Sequence, residues 1–231
     1  MVLRGDAFPS IAAAIKQGRT IFINIRKFVA YLISCNISEI FVVGIATLFT
    51  SAIPLLPLQI LFLNLVTDVF PALALGVTRS QRNILVVPPR IKGEAILHKK
   101  DWVLACWHAL TIASTTLGAF FFAIFKLGQT PEEAITISFL TLALAQLFHV
   151  FNMASANEPF FASSIVKNKM VWGALLLCVG LLFLACWHPT MSEVLALRLP
   201  TGDEWQVIVG FTSLPVLIEL IRRPILRAKK N

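Results

Sequence analysis

The sequence predicts an all-α membrane protein with six transmembrane helices, and three observations carry that reading. First, 57% of its residues are hydrophobic and 14% charged, with Phe 18 against Tyr 1, which leaves too little polar surface for a soluble domain. Second, six apolar segments each approach the roughly 20 residues that a spanning helix needs. They run from Phe28 to Ala52, Pro57 to Val77, Asp101 to Phe125, Pro131 to Met153, Met170 to Trp187 and Glu204 to Ile221. Third, the basic residues fall into alternate connections.

That distribution gives the net charge of +8 its meaning. Five Lys or Arg precede the first span, six lie from Arg79 to Lys100, two are Lys167 and Lys169, and five lie from Arg222 to Lys230. The other connections hold only Lys126 and Arg198, so eighteen of twenty share one side. This positive-inside pattern places both termini in the cytoplasm and the lipid bilayer around the spans. No basic cluster is interleaved with exposed aromatics, so no nucleic acid is expected as a partner.

Residues 1–27 read as a helical lead-in rather than a signal peptide, because no apolar core follows Arg4 and both Asp6 and Pro9 interrupt it. Residues 28–221 form the six-helix domain, and residues 222–231 a basic tail. Cys35, Cys106, Cys178 and Cys186 all fall in spans, which argues against a disulfide framework. The tetrapeptide ACWH occurs at Ala105 to His108 and again at Ala185 to His188. A Cys/His metal site is not expected from it. His108 lies about 10 Å along its helix from the cytoplasmic start, at 1.5 Å per residue, whereas His188 lies at the opposite face.

In the second span, Asn64, Thr67 and Asp68 stand at i, i+3 and i+4 and share one helical face. An aspartate at the centre of a membrane helix costs roughly 2.5 to 3.5 kcal/mol on insertion scales. Pro71 has no N–H, and its ring would clash with the carbonyl of residue 67, so the helix is expected to kink or unwind at Thr67 and Asp68 and free a carbonyl. Broken membrane helices persist where they line a site. The first span offers a second patch, Asn36 and Glu39, at i and i+3.

Glu39 lies about 12 residues beyond Lys27, and Asp68 about 11 before Arg79, so both fall near the midplane of a roughly 20-residue span. Two carboxylates, two amides and a hydroxyl at one depth make an all-oxygen set for a hard cation, and Ca²⁺ wants 6 to 8 such ligands. The alternative is that Asn and Thr join helices while neighbours satisfy the carboxylates. No Lys or Arg stands in these two spans to compensate the charge, which leaves a bound cation or a proton.

PLQILFLNLVTDVFPALALG, preceded by GRTIFINIRKFVAYLISCNISE and followed by NILVVPPR, resembles the fifth and sixth membrane helices of P-type cation-transporting ATPases, in particular calcium pumps of the sarcoplasmic reticulum type. MVLRGDAFPSIAAAIKQGR is similar to the end of that family's phosphorylation domain, and TSLPVLIELIRR to its last membrane helix. The resemblance implies that the six spans are the fifth to tenth of the family. It also implies that Asn36, Glu39, Asn64, Thr67 and Asp68 are cation ligands, with Asp68 shared between adjacent ion positions. Sodium-potassium pumps usually carry Asp at the place of Asn64 and Pro at that of Ser38, which favours Ca²⁺.

The eighth helix of a calcium pump supplies a Glu ligand, and the resemblance puts His149 at that place in LALAQLFHVFN, with Gln146 and Asn152 a turn to either side. His149 is there either an additional ligand or a packing residue, and Gln146 is the other additional candidate. The chain has no DKTG or TGES motif, no nucleotide domain and no first four membrane helices, and Met1 falls at a position internal to the family. The resemblance therefore implies a fragment that hydrolyses no ATP alone. Its partner would be the N-terminal portion of the pump, which binds Mg-ATP. Movement of the stalk from Ala12 to Phe28 would tilt the ligands, and protons would return in exchange for Ca²⁺ exported across a bacterial-type plasma membrane. A freestanding six-helix channel or secondary carrier is the alternative, though neither a gate of its own nor an inverted repeat is visible.

Overall fold

The computed structural model describes residues 8–49, 53–78, 85, 93–154 and 163–228. The lead-in residues 1–7, most of the NILVVPPR stretch with Arg79 and Arg82, and the final residues 229–231 lie outside the described residues. Among the described residues, six helices are long and apolar enough to cross a membrane.

Helix α1 runs unbroken over Phe8–Phe49, 42 residues. At 1.5 Å per residue that is about 63 Å, twice the roughly 30 Å of the hydrocarbon core, so stalk and first span are one rod. The second span is composite: α2 (Pro57–Leu63), a π-helical turn (Asn64–Asp68) and α3 (Val69–Gly76). Then follow α4 (Lys99–Lys126), α5 (Pro131–His149) with a 3₁₀ turn at Val150–Met153, and α6 (Lys169–Trp187). A short α7 (Pro189–Val194) leads to α8 (Gly202–Ala228).

Helix starts and stops follow local chemistry. Thr130 caps α5 by accepting the Glu133 N–H at 3.3 Å, while Glu133 Oε2 accepts the Thr130 N–H at 2.9 Å and Pro131 occupies the first turn. Asn168 caps α6 through the Met170 N–H. Helix α8 continues to Ala228, past the expected end of the span at Ile221, so the first part of the basic tail is helical. The hydrocarbon limits the apolar run and not the helix itself.

Helix α5 is the best-buried span, and the others surround it. Its buried residues Ile137, Leu140, Ala143 and Leu147 belong to the core that α5 forms with α4 and α8, and Gln146 ties it to α1. Gly118 admits the ring of Phe211, since a Cβ there would stand 2.7 Å from Phe211 Cε1, and this brings α8 close to α4. Outward-facing Leu48, Leu61, Leu65, Leu73 and Leu176 are 64–81% exposed, the expected lipid surface.

Each end of the bundle has its own polar ties. At one end Arg26 donates to Ile96 O at 2.7 Å, and Asn24 Nδ2 takes the carbonyls of Gly76 and Thr78 where the second span stops. At the other, Arg198 pairs with Glu204 and Gln129, and Glu204 also accepts the Thr201 N–H at 2.8 Å. Arg198 and Lys126 thus stand at the opposite end from Arg26 and Lys99, as the charge alternation expects.

Candidate functional site

The first and second spans face each other as the sequence expects. Glu39 on α1 and Asp68 in the π turn are 5% and 2% exposed, and Thr67 is fully buried. Two amides link the carboxylates crosswise. Asn36 Nδ2 lies 3.4 Å from Asp68 Oδ2, and Asn64 Nδ2 lies 3.4 Å from Glu39 Oε2. Each amide also donates to its own helix, Asn36 to Leu32 O at 2.8 Å and Asn64 to Ile60 O at 3.1 Å. Asp68 Oδ1 is buried and has no hydrogen-bond partner among the described residues. Among the described residues neither carboxylate is paired with Lys or Arg, and no three of His, Cys, Asp and Glu converge as a metal-holding group.

The break expected at Pro71 takes a different form. The chain stays helical through Thr67 and Asp68 but widens into the π turn, the local insertion that most often marks a functional segment. Its displaced carbonyls are then taken up by other helices. The Tyr31 hydroxyl lies 3.1 Å from Thr67 O, and the Cys178 thiol 3.1 Å from Val66 O. A buried carbonyl without a donor costs about 1–3 kcal/mol, so these two contacts make the irregular turn tolerable.

On α5 it is Gln146 that turns toward the carboxylates. Its Nε2 donates to Glu39 Oε1 at 3.1 Å and lies within 3.3–3.4 Å of Cys35 O and Ser38 Oγ, while its Oε1 is 3.4 Å from Thr67 Oγ1. His149, one turn on, faces other neighbours. It stacks on Tyr31 with ring centroids 5.9 Å apart, meets His108 edge-on at 4.6 Å, and has Asn152 Nδ2 3.3 Å from its Nδ1. His108 of the ACWH pair is buried against Glu219, whereas His188 is exposed at the end of α6. All four cysteines are free thiols.

The comparisons with known proteins fit this arrangement. The family described as "Cation transporting ATPase, C-terminus" matches residues 52–225. The chain belongs to the cation-transporting ATPases. This cation-transporting ATPase domain is 34% identical over 218 residues to a calcium-transporting ATPase of Bacillus subtilis, covering 94% of this chain and 24% of that protein. It is 34% identical over 249 residues to calcium-transporting ATPase 1 of Bacillus cereus, covering 100% and 27%. It is 26% identical over 231 residues to calcium-transporting ATPase type 2C member 1 of Mus musculus, covering 100% and 25%. The chain thus spans about a quarter of the length of these relatives. Its all-α, six-span architecture is that of the C-terminal membrane region.

Sequence reasoning named Gln146 beside His149 as a further candidate for the site, and did not find Tyr31. Tyr31 carried a usable signal as the only tyrosine in the chain, one turn before Cys35 and Asn36 on the site-bearing helix. Cys178 carried none, since only packing brings α6 to the π turn.

Proposed function

We propose that this chain supplies the C-terminal half of an intramembrane cation site in an ATP-driven pump that exports Ca²⁺ from the cytoplasm. Glu39 and Asp68 are the anionic ligands, with Asn36, Asn64 and Thr67 as neutral oxygens and Gln146 completing the wall. One observation carries the reading. Two buried carboxylates face each other across adjacent spans, bridged crosswise by two amides and paired with no cation of the protein among the described residues. Half-turn rotations of the amides replace their donors with oxygens, which gives a hard divalent ion a donor set it prefers.

Asn36 is exposed on the α1 face that also presents Ile40 at 66% exposure. An amide at midplane does not face lipid without penalty. The remaining portion of the pump, with its first membrane helices and its Mg-ATP-using domains, is the partner that covers this face. The long rod of α1 then carries movement from the phosphorylation domain to Asn36 and Glu39. When the cation leaves, protons take its place on the carboxylates and return in the opposite direction. Both termini are cytoplasmic, and the two Bacillus relatives support a bacterial plasma membrane.

The test is Ca²⁺-dependent phosphorylation of the complete pump with Asp68→Asn, after membrane insertion at parental level has been shown. Unchanged Ca²⁺ dependence would make Asp68 structural and the site wrong.

A further inference from the structure

The end of the last helix reaches the candidate site through a run of buried side chains, and we propose that His149 is the positioning residue in that run, transmitting the state of Glu219 and Arg223 to Tyr31 and so to the cation ligands. The affinity half of this proposal rests on the cation reading above; the positioning half does not.

Glu219 is 3% exposed and accepts from Arg222 Nε at 2.7 Å and from Arg223 Nε at 3.1 Å, with His108 Nε2 3.4 Å from its Oε2. Arg223 Nη2 donates to Asn152 O at 2.6 Å, which ties α8 to the turn that ends α5. Both arms converge on His149. His108 meets its ring edge-on, and Asn152 Nδ2 approaches its Nδ1. The far face of His149 stacks on Tyr31 with the ring planes 17° apart. Tyr31 in turn shares its hydroxyl between Thr67 O at 3.1 Å and Gln146 O at 3.2 Å, the backbone of two residues that line the site.

The ring of His149 meets His108 and Tyr31 directly, while His108 and Asn152 also line a cavity of about 320 Å³ beside Arg26 and Lys27. Close-packed contacts pass on a displacement that a wet gap would absorb. His149 combines a flat face for Tyr31 with a nitrogen directed to Asn152. Phenylalanine supplies only the first of these, and alanine neither.

The chain's single tyrosine makes the test specific, because ¹³C at the tyrosine Cζ reports on Tyr31 alone. The full chain is placed in lipid nanodiscs, and this resonance is followed without Ca²⁺ in the parent, Glu219→Gln, His149→Ala and the double variant. Ca²⁺ affinity is measured in parallel by equilibrium dialysis on the complete pump carrying the same substitutions. The polar contacts of Glu219 go to His108, Arg222 and Arg223, and Tyr31 is reached from them through His149. A shift of the Tyr31 resonance on Glu219→Gln, absent when His149 is already Ala, is therefore the expected result. A matching loss of Ca²⁺ affinity of about threefold or more is expected in the parent background only. Arg223→Lys, which alters the tie to Asn152, is the second probe should Glu219→Gln fail to fold. A Tyr31 resonance unmoved by both folded variants, or equal shifts with and without His149, overturns the positioning role. Absence of Ca²⁺ binding by the complete parental pump overturns the cation reading and the affinity half, while the cation-free spectra still decide the positioning half.

Discussion

The Tyr31 hydroxyl stands 3.1 Å from the Thr67 carbonyl oxygen. A side chain from the first span thereby takes the backbone group that the π turn of the second span displaces. Tyr31→Phe removes that donor and is expected to lower stability by about 1–3 kcal/mol, the penalty of a buried unsatisfied carbonyl. The same change leaves Thr67 O open to a cation, so Ca²⁺ affinity should rise, because the penalty falls on the cation-free state alone. Thermal unfolding and a Ca²⁺ binding isotherm check both halves. Lower affinity at unchanged stability would show that the hydroxyl is itself a ligand.

Asp68→Asn and Pro71→Ala should weaken Ca²⁺ binding for different reasons. The first removes a charge, inserts at least as well as the parent, and should lower affinity by at least about tenfold. The second supplies an N–H at position 71 that can re-pair a carbonyl of the π turn, so it should straighten the segment with the charge intact. Hydrogen exchange at the amide of residue 71, slow in a re-paired helix, separates the two. An unprotected amide there would mean that the π turn is held by Tyr31 and Cys178 rather than by the proline.

Gln146→Glu adds a carboxylate beside Glu39, where Gln146 Nε2 now donates at 3.1 Å. It should change the number or affinity of bound Ca²⁺ in the complete pump. His149→Glu sets its charge between Tyr31 and His108 instead, and should destabilise the chain without adding a cation. Ca²⁺ stoichiometry and melting temperature, measured on both, distinguish them. An added ion in His149→Glu would return that residue to the ligand set.

Arg198→Met leaves Glu204, 1% exposed, without its ion pair at the end of the bundle opposite Arg26. Removing one partner of a buried pair is expected to cost about 3 kcal/mol or more, reduced here because Arg198 is partly solvated. Because the change lies far from Glu39 and Asp68, melting temperature should fall with Ca²⁺ affinity unaltered. Altered affinity at parental stability would contradict the separation of clamp and site.

Single cysteines at Gly93 and Arg198, in a cysteine-free background, should react with an impermeant thiol reagent from opposite sides of the membrane. Labelling of both from one side would contradict the six-span topology.

Length, hydropathy and the placement of Lys and Arg determined the six spans, because a bilayer imposes a fixed thickness on any chain that crosses it. The i, i+3, i+4 spacing of Asn64, Thr67 and Asp68 likewise determined that their side chains share a face, since that follows from helical geometry alone. What periodicity does not contain is the neighbour that each face meets. Gln146 and His149 are one turn apart on α5, and only the packing against α1 decided that Gln146 reaches Glu39 while His149 stacks on Tyr31. The break at Pro71 was legible as a backbone weakness. Its form as a π turn depends on donors from Tyr31 and Cys178, which lie 36 and 112 residues from the carbonyls they satisfy, and no local rule links residues so far apart.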